Sequence, residues 1–247
     1  MTETSARERA IGRTARVAAV GQVAFVLTWL VAGLWQRPTY DPVEHSISDM
    51  YADGAPGAWV LVIVLTAAGA SVMLFCAFSL WPALRGAGWK AMTGTAFLAL
   101  SIFGLGDLLT PFERLGCQLA TTGCTPAAQL ATSGGKADGL LSTAGVVLFV
   151  LAGFLLAAAM KATVGWQRWA RPARLFSLVT LVLFCALGVT GAAGDSLPLG
   201  GLLERLLAFV GAMGIVVLAG VVVRQTSQPR TGRLSGTGTG AARARRR

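Results

Sequence analysis

The sequence predicts an all-α, polytopic transmembrane bundle of six helices. Of its 247 residues, 54% are hydrophobic and only 13% are charged, a balance that excludes an ordinary soluble globule. Six apolar runs are long enough to span a membrane, because a helix needs roughly 20 residues to cross the hydrocarbon core. The runs lack the alternation of barrel strands, so helices are expected. The predicted spans are 17–35, 58–80, 91–109, 140–160, 175–193 and 206–223.

The distribution of lysine and arginine predicts the orientation of these spans. Seventeen of the 21 basic residues lie in the two termini and in the loops after the second and fourth spans. Because positively charged loops stay in the cytoplasm, both termini are expected there. The six spans then form three outward-facing hairpins within a transmembrane domain of residues 17–223. A basic tail of residues 1–16 precedes this domain, and a basic, disordered tail of residues 224–247 follows it.

The net charge of +10 follows from this membrane topology and does not indicate nucleic-acid binding. Basic tails attract the anionic lipids of the inner leaflet, so membrane lipids are the expected partners. A homo-oligomer or a membrane-protein partner is left open. The first span is longer than a signal-peptide core and no small-residue cleavage site follows it, so it is expected to remain as an anchor. Abundant Arg, Ala and Gly favour a GC-rich bacterial source, and hence a bacterial plasma membrane.

The first outer loop contains the most informative short segment. Asp41 is a suitable N-cap and Pro42 a suitable first helical residue, which predicts a short helix over Pro42–Tyr51. Its apolar side would face down while it lies flat on the outer leaflet or on the mouth of the bundle. His45 and Asp49 are four residues apart and share another face, with Ser48 nearby.

This loop carries a resemblance to a known family. The Tyr-Asp-Pro segment at 40–42, followed by Ile-Ser-Asp at 47–49, resembles the domain-of-unknown-function 998 family of bacterial membrane proteins. The resemblance covers roughly residues 15–223, and Asp107 with Pro111 is similar to an acidic, proline-containing segment of that family. It implies a six-span membrane protein and no particular reaction. Lys136 and Asp138 stand where the family carries a histidine before the fourth span.

The only histidine raises the question of catalysis. His45, Ser48 and Asp49 are a possible hydrolase set by residue type, but residues on one turn rarely converge on one substrate atom. There is no Gly-x-Ser-x-Gly elbow, and a single histidine excludes a zinc site of three histidines. Asp49, Asp107, Asp195 and Glu204 could join His45 in a carboxylate-rich site for a hard cation such as calcium if the hairpins converge. This alternative is less favoured, and no metal or cofactor is predicted. His45, Asp49 and Asp107 remain the candidate catalytic residues.

Asp107 is the only formal charge inside the six predicted spans. An ionisable group in a membrane is costly, so it is a functional candidate by default. The alternative is that Asp107 lies in the headgroup zone and pairs with Arg37, Arg114 or Arg205. The residues expected to bind a ligand at the outer mouth are Tyr40, Asp41, Ser48, Asp49, Asp107, Asp195, Glu204 and Arg205.

Cys117 and Cys124 lie in the long second outer loop, where the oxidising exterior favours a disulfide between them. The other two cysteines, Cys76 and Cys185, fall within spans and are expected to be small packing residues.

Three functions fit the sequence. The favoured one is a non-catalytic membrane protein that binds a lipid headgroup or small amphiphile at its outer mouth, as an accessory or transport component. The second is an outer-leaflet lipid hydrolase in which His45 is the general base and Asp49 or Asp107 orients it. The third is a small secondary transporter, which is least favoured because only Asp107 interrupts the apolar spans and no paired broken helices are visible.

Overall fold

The computed structural model describes residues 3–193 and 198–227, and this part of the chain is all-α. Five of its helices are long and apolar enough to cross a membrane, and a bent pair, Trp89–Leu100 with Ile102–Leu109, is a sixth candidate span. The prediction of an all-α polytopic bundle is confirmed. The helices are α1 (Glu3–Ala32), α2 (Ala58–Ala87), α3 (Trp89–Leu100), α4 (Ile102–Leu109), α5 (Ser133–Ala162), α6 (Gln167–Ala193) and α7 (Gly200–Ser227).

The helices pack in two connected groups. Helix α1 contacts α2 and α7, whereas α5 contacts α3 and α6. Large apolar side chains remain exposed on the outer faces, such as Val20, Ile63 and Val182. Exposed apolar faces on long helices are expected when lipid surrounds a bundle whose backbone hydrogen bonds are satisfied internally. The protein is therefore a multi-pass integral membrane protein.

The two ends of the bundle differ in charge. At one end, two long loops cover the helices, and these loops (residues 36–57 and 110–132) are called the cap. A short 3-10 helix, Ser48–Tyr51, and a single α-helical turn, Pro126–Gln129, lie within the cap. The opposite, basic end carries the start of α1 and the loop between α5 and α6. The cap end holds most of the acidic residues that the structure describes.

The segment predicted as the third span, residues 91–109, is a bent pair of helices in the structure. Helices α3 and α4 meet at Ser101 with a bend of 40°. Gly69 of α2 and Gly145 of α5 pack closely against the backbone of α4. A Cβ atom on Gly69 would lie 2.4 Å from the backbone nitrogen of Leu108, and one on Gly145 would lie 2.6 Å from that of Ile102. Neighbouring glycines thus allow a close backbone approach that apolar composition does not reveal.

The helix predicted over Pro42–Tyr51 is shorter than expected. Turns occupy residues 42–47, and only Ser48–Tyr51 is helical, in a 3-10 conformation. Asp49, Met50 and Tyr51 are buried. The segment is therefore inserted into the mouth of the bundle and does not lie on the lipid surface.

The start of α7 explains why residues 42–47 do not form a helix. The carbonyl oxygens of residues 42–45 accept hydrogen bonds from this helix, so they cannot accept the bonds of a regular helix. Helix α7 in turn gains partners for its first backbone N–H groups. The bonds are Gly201 N to Glu44 O (3.1 Å), Leu202 N to Val43 O (2.9 Å), and Arg205 Nη1 to Pro42 O and to His45 O (2.7 Å each).

We expect Gly69→Ala to destabilise the protein, because its methyl group would collide with the backbone of α4. The loss should be about 1–3 kcal/mol, the usual cost of overpacking. Thermal unfolding of the purified protein in mild detergent would show it as a lower melting temperature. Gly220→Ala on α7 is the matched control, since its Cβ would meet no atom within 4 Å. Equal melting temperatures for the two variants would contradict the close approach of α2 to α4.

Candidate functional site

Asp49 joins the two halves of the cap. The side chain is 0% exposed, and its Oδ1 accepts hydrogen bonds from the backbone N–H of Leu119 (2.7 Å) and from Nε2 of Gln129 (2.8 Å). Burial raises the pKa of Asp49, and the bonds from Leu119 and Gln129 act against that rise. The backbone N–H of Asp49 donates to Ser46 Oγ at 3.0 Å. Asp49 therefore holds the first loop against the second.

The second loop contains the predicted disulfide. Cys117 and Cys124 are bonded, with their Cα atoms 6.0 Å apart. Gln129 donates to the Cys117 carbonyl oxygen at 3.0 Å as well as to Asp49. Gln129 therefore links the disulfide loop to the buried carboxylate of Asp49.

A cavity of about 370 Å³ lies beneath the Ser48–Tyr51 turn. Three carboxyl groups from three helices line it, namely Asp107 on α4, Asp138 on α5 and Glu204 on α7. We call this space the carboxylate cavity. Its polar wall also includes Ser48, Tyr51, Ser142 and Thr143, and its apolar wall includes Phe25, Phe103, Phe149 and Phe184.

The cavity is polar near the cap and apolar nearer the centre of the bundle. Phe149 follows Asp138 by eleven residues on α5, which is roughly 16 Å at about 1.5 Å per residue. Phe103 and Phe149 pack with ring centroids 4.7 Å apart. This gradient from carboxyl groups to aromatic rings fits an amphiphilic ligand better than a fully polar one.

The three carboxyl groups differ in their partners. Glu204 Oε1 accepts a hydrogen bond from the backbone N–H of Ile47 at 3.1 Å, and Asp138 Oδ1 accepts a long one from the Tyr51 hydroxyl at 3.4 Å. Asp107 is only 6% exposed, and its Oδ2 has no hydrogen-bond partner among the described residues. A buried carboxyl oxygen without a partner is costly, so it marks a position where a ligand group can bind.

The arginines expected as partners of Asp107 bind elsewhere. None of them forms an ion pair with it in the part of the chain that the structure describes. Arg205 is committed to the carbonyl oxygens of the first loop. The other bonds are Arg37 to Gln118 Oε1 and Gly54 O (3.2 Å each), and Arg114 to Tyr51 O (2.9 Å), Ala52 O (3.1 Å) and the Asp53 carboxylate (3.1 Å).

Glu113 is a further buried acid, and it was not among the candidate residues predicted from the sequence. It follows α4, is 3% exposed, and its Oε2 has no hydrogen-bond partner among the described residues. Burial, reinforced by the nearby Asp138 carboxylate, raises the pKa of Glu113 to about 8. Tyr51 lies beside both acids, and its burial raises its pKa well above the ordinary value, with Asp138 adding to the rise.

Tyr40 and Arg205, two residues expected from the sequence to bind a ligand at the outer mouth, contact each other in the structure. Arg205 Nη2 donates to the Tyr40 hydroxyl, and the guanidinium lies over the Tyr40 and Trp29 rings, 5.7 Å and 5.9 Å from their centroids. Burial raises the pKa of Tyr40 to about 12, although the Arg205 charge acts to lower it. These contacts hold the first loop against α7 and occupy most of the N–H groups of the Arg205 guanidinium.

His45 and Asp41 are bonded to each other and lie away from the cavity. The backbone N–H of Asp41 donates to His45 Nδ1 at 2.9 Å, and Asp41 Oδ1 accepts from the Val43 N–H at 2.8 Å. The His45 ring packs on Tyr40 at 5.3 Å. Neither His45 nor Asp41 is among the described residues that line the carboxylate cavity. Asp195, also expected at the mouth, lies outside the described residues.

Asp138 is absent from the predicted site because α5 begins earlier than its apolar run. The Thr132 hydroxyl accepts a hydrogen bond from the Gly135 N–H at 3.0 Å and caps a helix that starts at Ser133. Asp138 is therefore helical and buried, and Ser142 follows it on the same face. Thr132 is a recognisable N-cap signal that could have revealed this. No comparable signal marks Glu113, which lies in irregular chain.

The fold and the cavity define a multi-pass membrane bundle with a disulfide-linked cap over buried carboxyl groups. A family model described as "Protein of unknown function (DUF998)" matches residues 19–221. The chain belongs to this family, which confirms the resemblance carried by residues 40–49. Searches of curated proteins and of solved structures found no match.

The raised pKa of Glu113 predicts a pH-dependent stability. The folded protein keeps this proton up to about pH 8, whereas a glutamate in the unfolded chain loses it near pH 4.5. Between these values unfolding releases a proton, so stability should fall as the pH rises and level off above pH 8. Thermal unfolding from pH 5 to 9 should show this fall in the unmodified protein and a smaller one in Glu113→Gln.

Asp53→Asn is the control for this experiment, because the Asp53 side chain is 57% exposed and makes a surface ion pair of small energetic value. Its melting temperature should follow the same pH curve as the unmodified protein. Parallel curves for Glu113→Gln and the unmodified protein would show that Glu113 ionises normally.

Proposed function

We propose that this protein binds the polar group of a small amphiphile or lipid in the carboxylate cavity, as an accessory or transport component and not as an enzyme. One observation carries the proposal: Asp107, Asp138 and Glu204 reach one cavity from three helices, and four phenylalanine rings also line that cavity. The volume of about 370 Å³ lies within the usual range of small-molecule pockets, roughly 300–1,000 Å³.

The chemistry of the walls supports a positively charged polar group. Carboxyl groups line the polar side, and Arg205, which interacts with Glu204, donates its hydrogen bonds to Tyr40 and to first-loop carbonyl oxygens. The unpartnered Oδ2 of Asp107 is a ready acceptor. An ammonium group would pair with Asp107, and an attached apolar chain would lie among the phenylalanine rings.

The positions of the other candidate residues favour binding over hydrolysis. A hydrolase would need His45 next to the bound ligand as a general base. His45 Nδ1 instead accepts a bond from Asp41, outside the lining of the carboxylate cavity. The bend at Ser101 supports a transport role, because discontinuous helices in transporters commonly line substrate cavities.

We propose that the cap faces outward from a bacterial plasma membrane and that both termini are cytoplasmic, with residues 17–223 forming the membrane domain between two basic tails. The lysine and arginine distribution supports this orientation, and the disulfide in the cap suits an oxidising exterior. Expressed in a bacterium, a C-terminal green fluorescent protein fusion should fluoresce and a C-terminal alkaline phosphatase fusion should be inactive. The reverse pattern would contradict the orientation.

Native mass spectrometry tests the ligand proposal. The protein purified in mild detergent should carry a bound amphiphile that is reduced or lost in Asp107→Asn, because this change removes the negative charge that pairs with the cation. Asp53→Asn is the matched control, an equivalent change at an exposed carboxylate, and should keep the bound mass. Equal melting temperatures would show that both variants are folded. The same adduct on Asp107→Asn, or no adduct on the unmodified protein, would overturn the proposal.

A further inference from the structure

Two neighbouring acids, Asp107 in the lining of the carboxylate cavity and Glu113 outside that lining, each have an unpartnered oxygen. Asp107 Oδ2 and Glu113 Oε2 are both buried without a hydrogen-bond partner among the described residues. The two carboxyl groups lie close enough to interact electrostatically, and Glu113 interacts with Asp138 in the same way. Three acids from two helices and a loop thus share one poorly solvated region, which we call the acid cluster (Asp107, Glu113 and Asp138).

Among the described residues, no positively charged group interacts with Asp107, Glu113 or Asp138. Tyr51 faces Asp138 and Glu113, and Glu204 faces Asp138 from α7. Arg205 interacts with Glu204 and is held by Tyr40 and the first-loop carbonyl oxygens. Several ionised carboxyl groups cannot be buried together cheaply without a cation, so buried acids retain protons until one arrives.

We infer that the cavity exchanges protons for its ligand, so that a bound ammonium group displaces a proton from the acid cluster. This inference rests on the proposed function and adds the coupling. In the exchange, a carboxyl O–H bond breaks, the proton passes to water at the cap, and the carboxylate pairs with the ammonium group. No electron transfer or other reactant is needed. Because linkage is reciprocal, added protons expel the cation as strongly as the cation expels protons.

The arrangement of hydroxyl groups supports this exchange. The Tyr51 hydroxyl donates to Asp138, and Ser48 and Tyr51 both line the cavity between the cap and the acids. A proton that leaves the cluster therefore meets hydroxyl groups and not an apolar wall. The pKa of about 8 for Glu113 means that this group holds a proton at neutral pH when no cation is present.

Octyltrimethylammonium is a suitable probe, because its permanent charge means that any released proton comes from the protein. The full-length protein would be placed in nanodiscs of zwitterionic lipid, and binding would be measured by titration calorimetry in buffers of different ionisation enthalpy. Empty nanodiscs correct for partition into lipid. We expect about one proton released per bound probe at pH 7, and a Kd that falls roughly tenfold per pH unit from pH 6 to 8.

Two variants and an uncharged detergent make the result specific. Glu113→Gln should bind the probe with fewer released protons and a flatter pH dependence, whereas Asp53→Asn should behave as the unmodified protein does. Octyl glucoside has the same alkyl chain without the charge and should release no protons. Saturable probe binding with no proton release and a constant Kd would overturn the exchange and leave the proposed function standing. No saturable binding would overturn both.

Discussion

The buried segment Ile47-Ser48-Asp49 is the contact on which the cap and the cavity both depend. Asp49 bonds to Leu119 and Gln129 of the second loop, and the Ile47 N–H bonds to Glu204 of α7. Buried polar groups must be paired to be tolerated, so these bonds fix three parts of the chain at once. The segment thereby forms the wall of the cavity that faces the cap. The segment that carries the resemblance to the family thus has a physical role, which is to hold the carboxylate cavity in shape.

The acids at this end of the bundle differ in whether the cap donates hydrogen bonds to them. Asp49 is fully buried, and its Oδ1 accepts two hydrogen bonds from the cap, while its Oδ2 has no partner among the described residues. Asp107 and Glu113 are nearly as buried, and no described residue donates a hydrogen bond to either carboxyl group. A buried carboxyl group without any such bond lowers stability, and functional sites are where proteins tolerate this cost. Asp49 therefore joins the parts of the cap, and the proposed ligand and proton sites lie at Asp107 and Glu113.

Sequence patterns predicted the all-α membrane bundle and the Cys117–Cys124 disulfide, because apolar runs and loop cysteines are local features. The bend at Ser101 was not predictable, since it depends on Gly69 and Gly145 approaching from helices far away in the chain. The turns at residues 42–47 depend likewise on donors from α7. Asp138 was left out of the predicted site because its helix begins before the apolar run, and Glu113 had no signal at all.

Hydrogen–deuterium exchange of the protein in nanodiscs tests the central claim most directly. If the Ile47-Ser48-Asp49 segment is inserted in the bundle, the amides of Ile47, Asp49 and Met50 should exchange as slowly as those of the membrane helices. These residues are buried, and their N–H groups donate to Glu204, Ser46 and the Ile47 carbonyl oxygen, respectively. The exposed residues 122–123 provide the fast reference. Asp49→Ala should release residues 47–50 to faster exchange. Fast exchange of this segment in the unmodified protein would contradict the account, because it would place the segment on the surface and open the cavity to water.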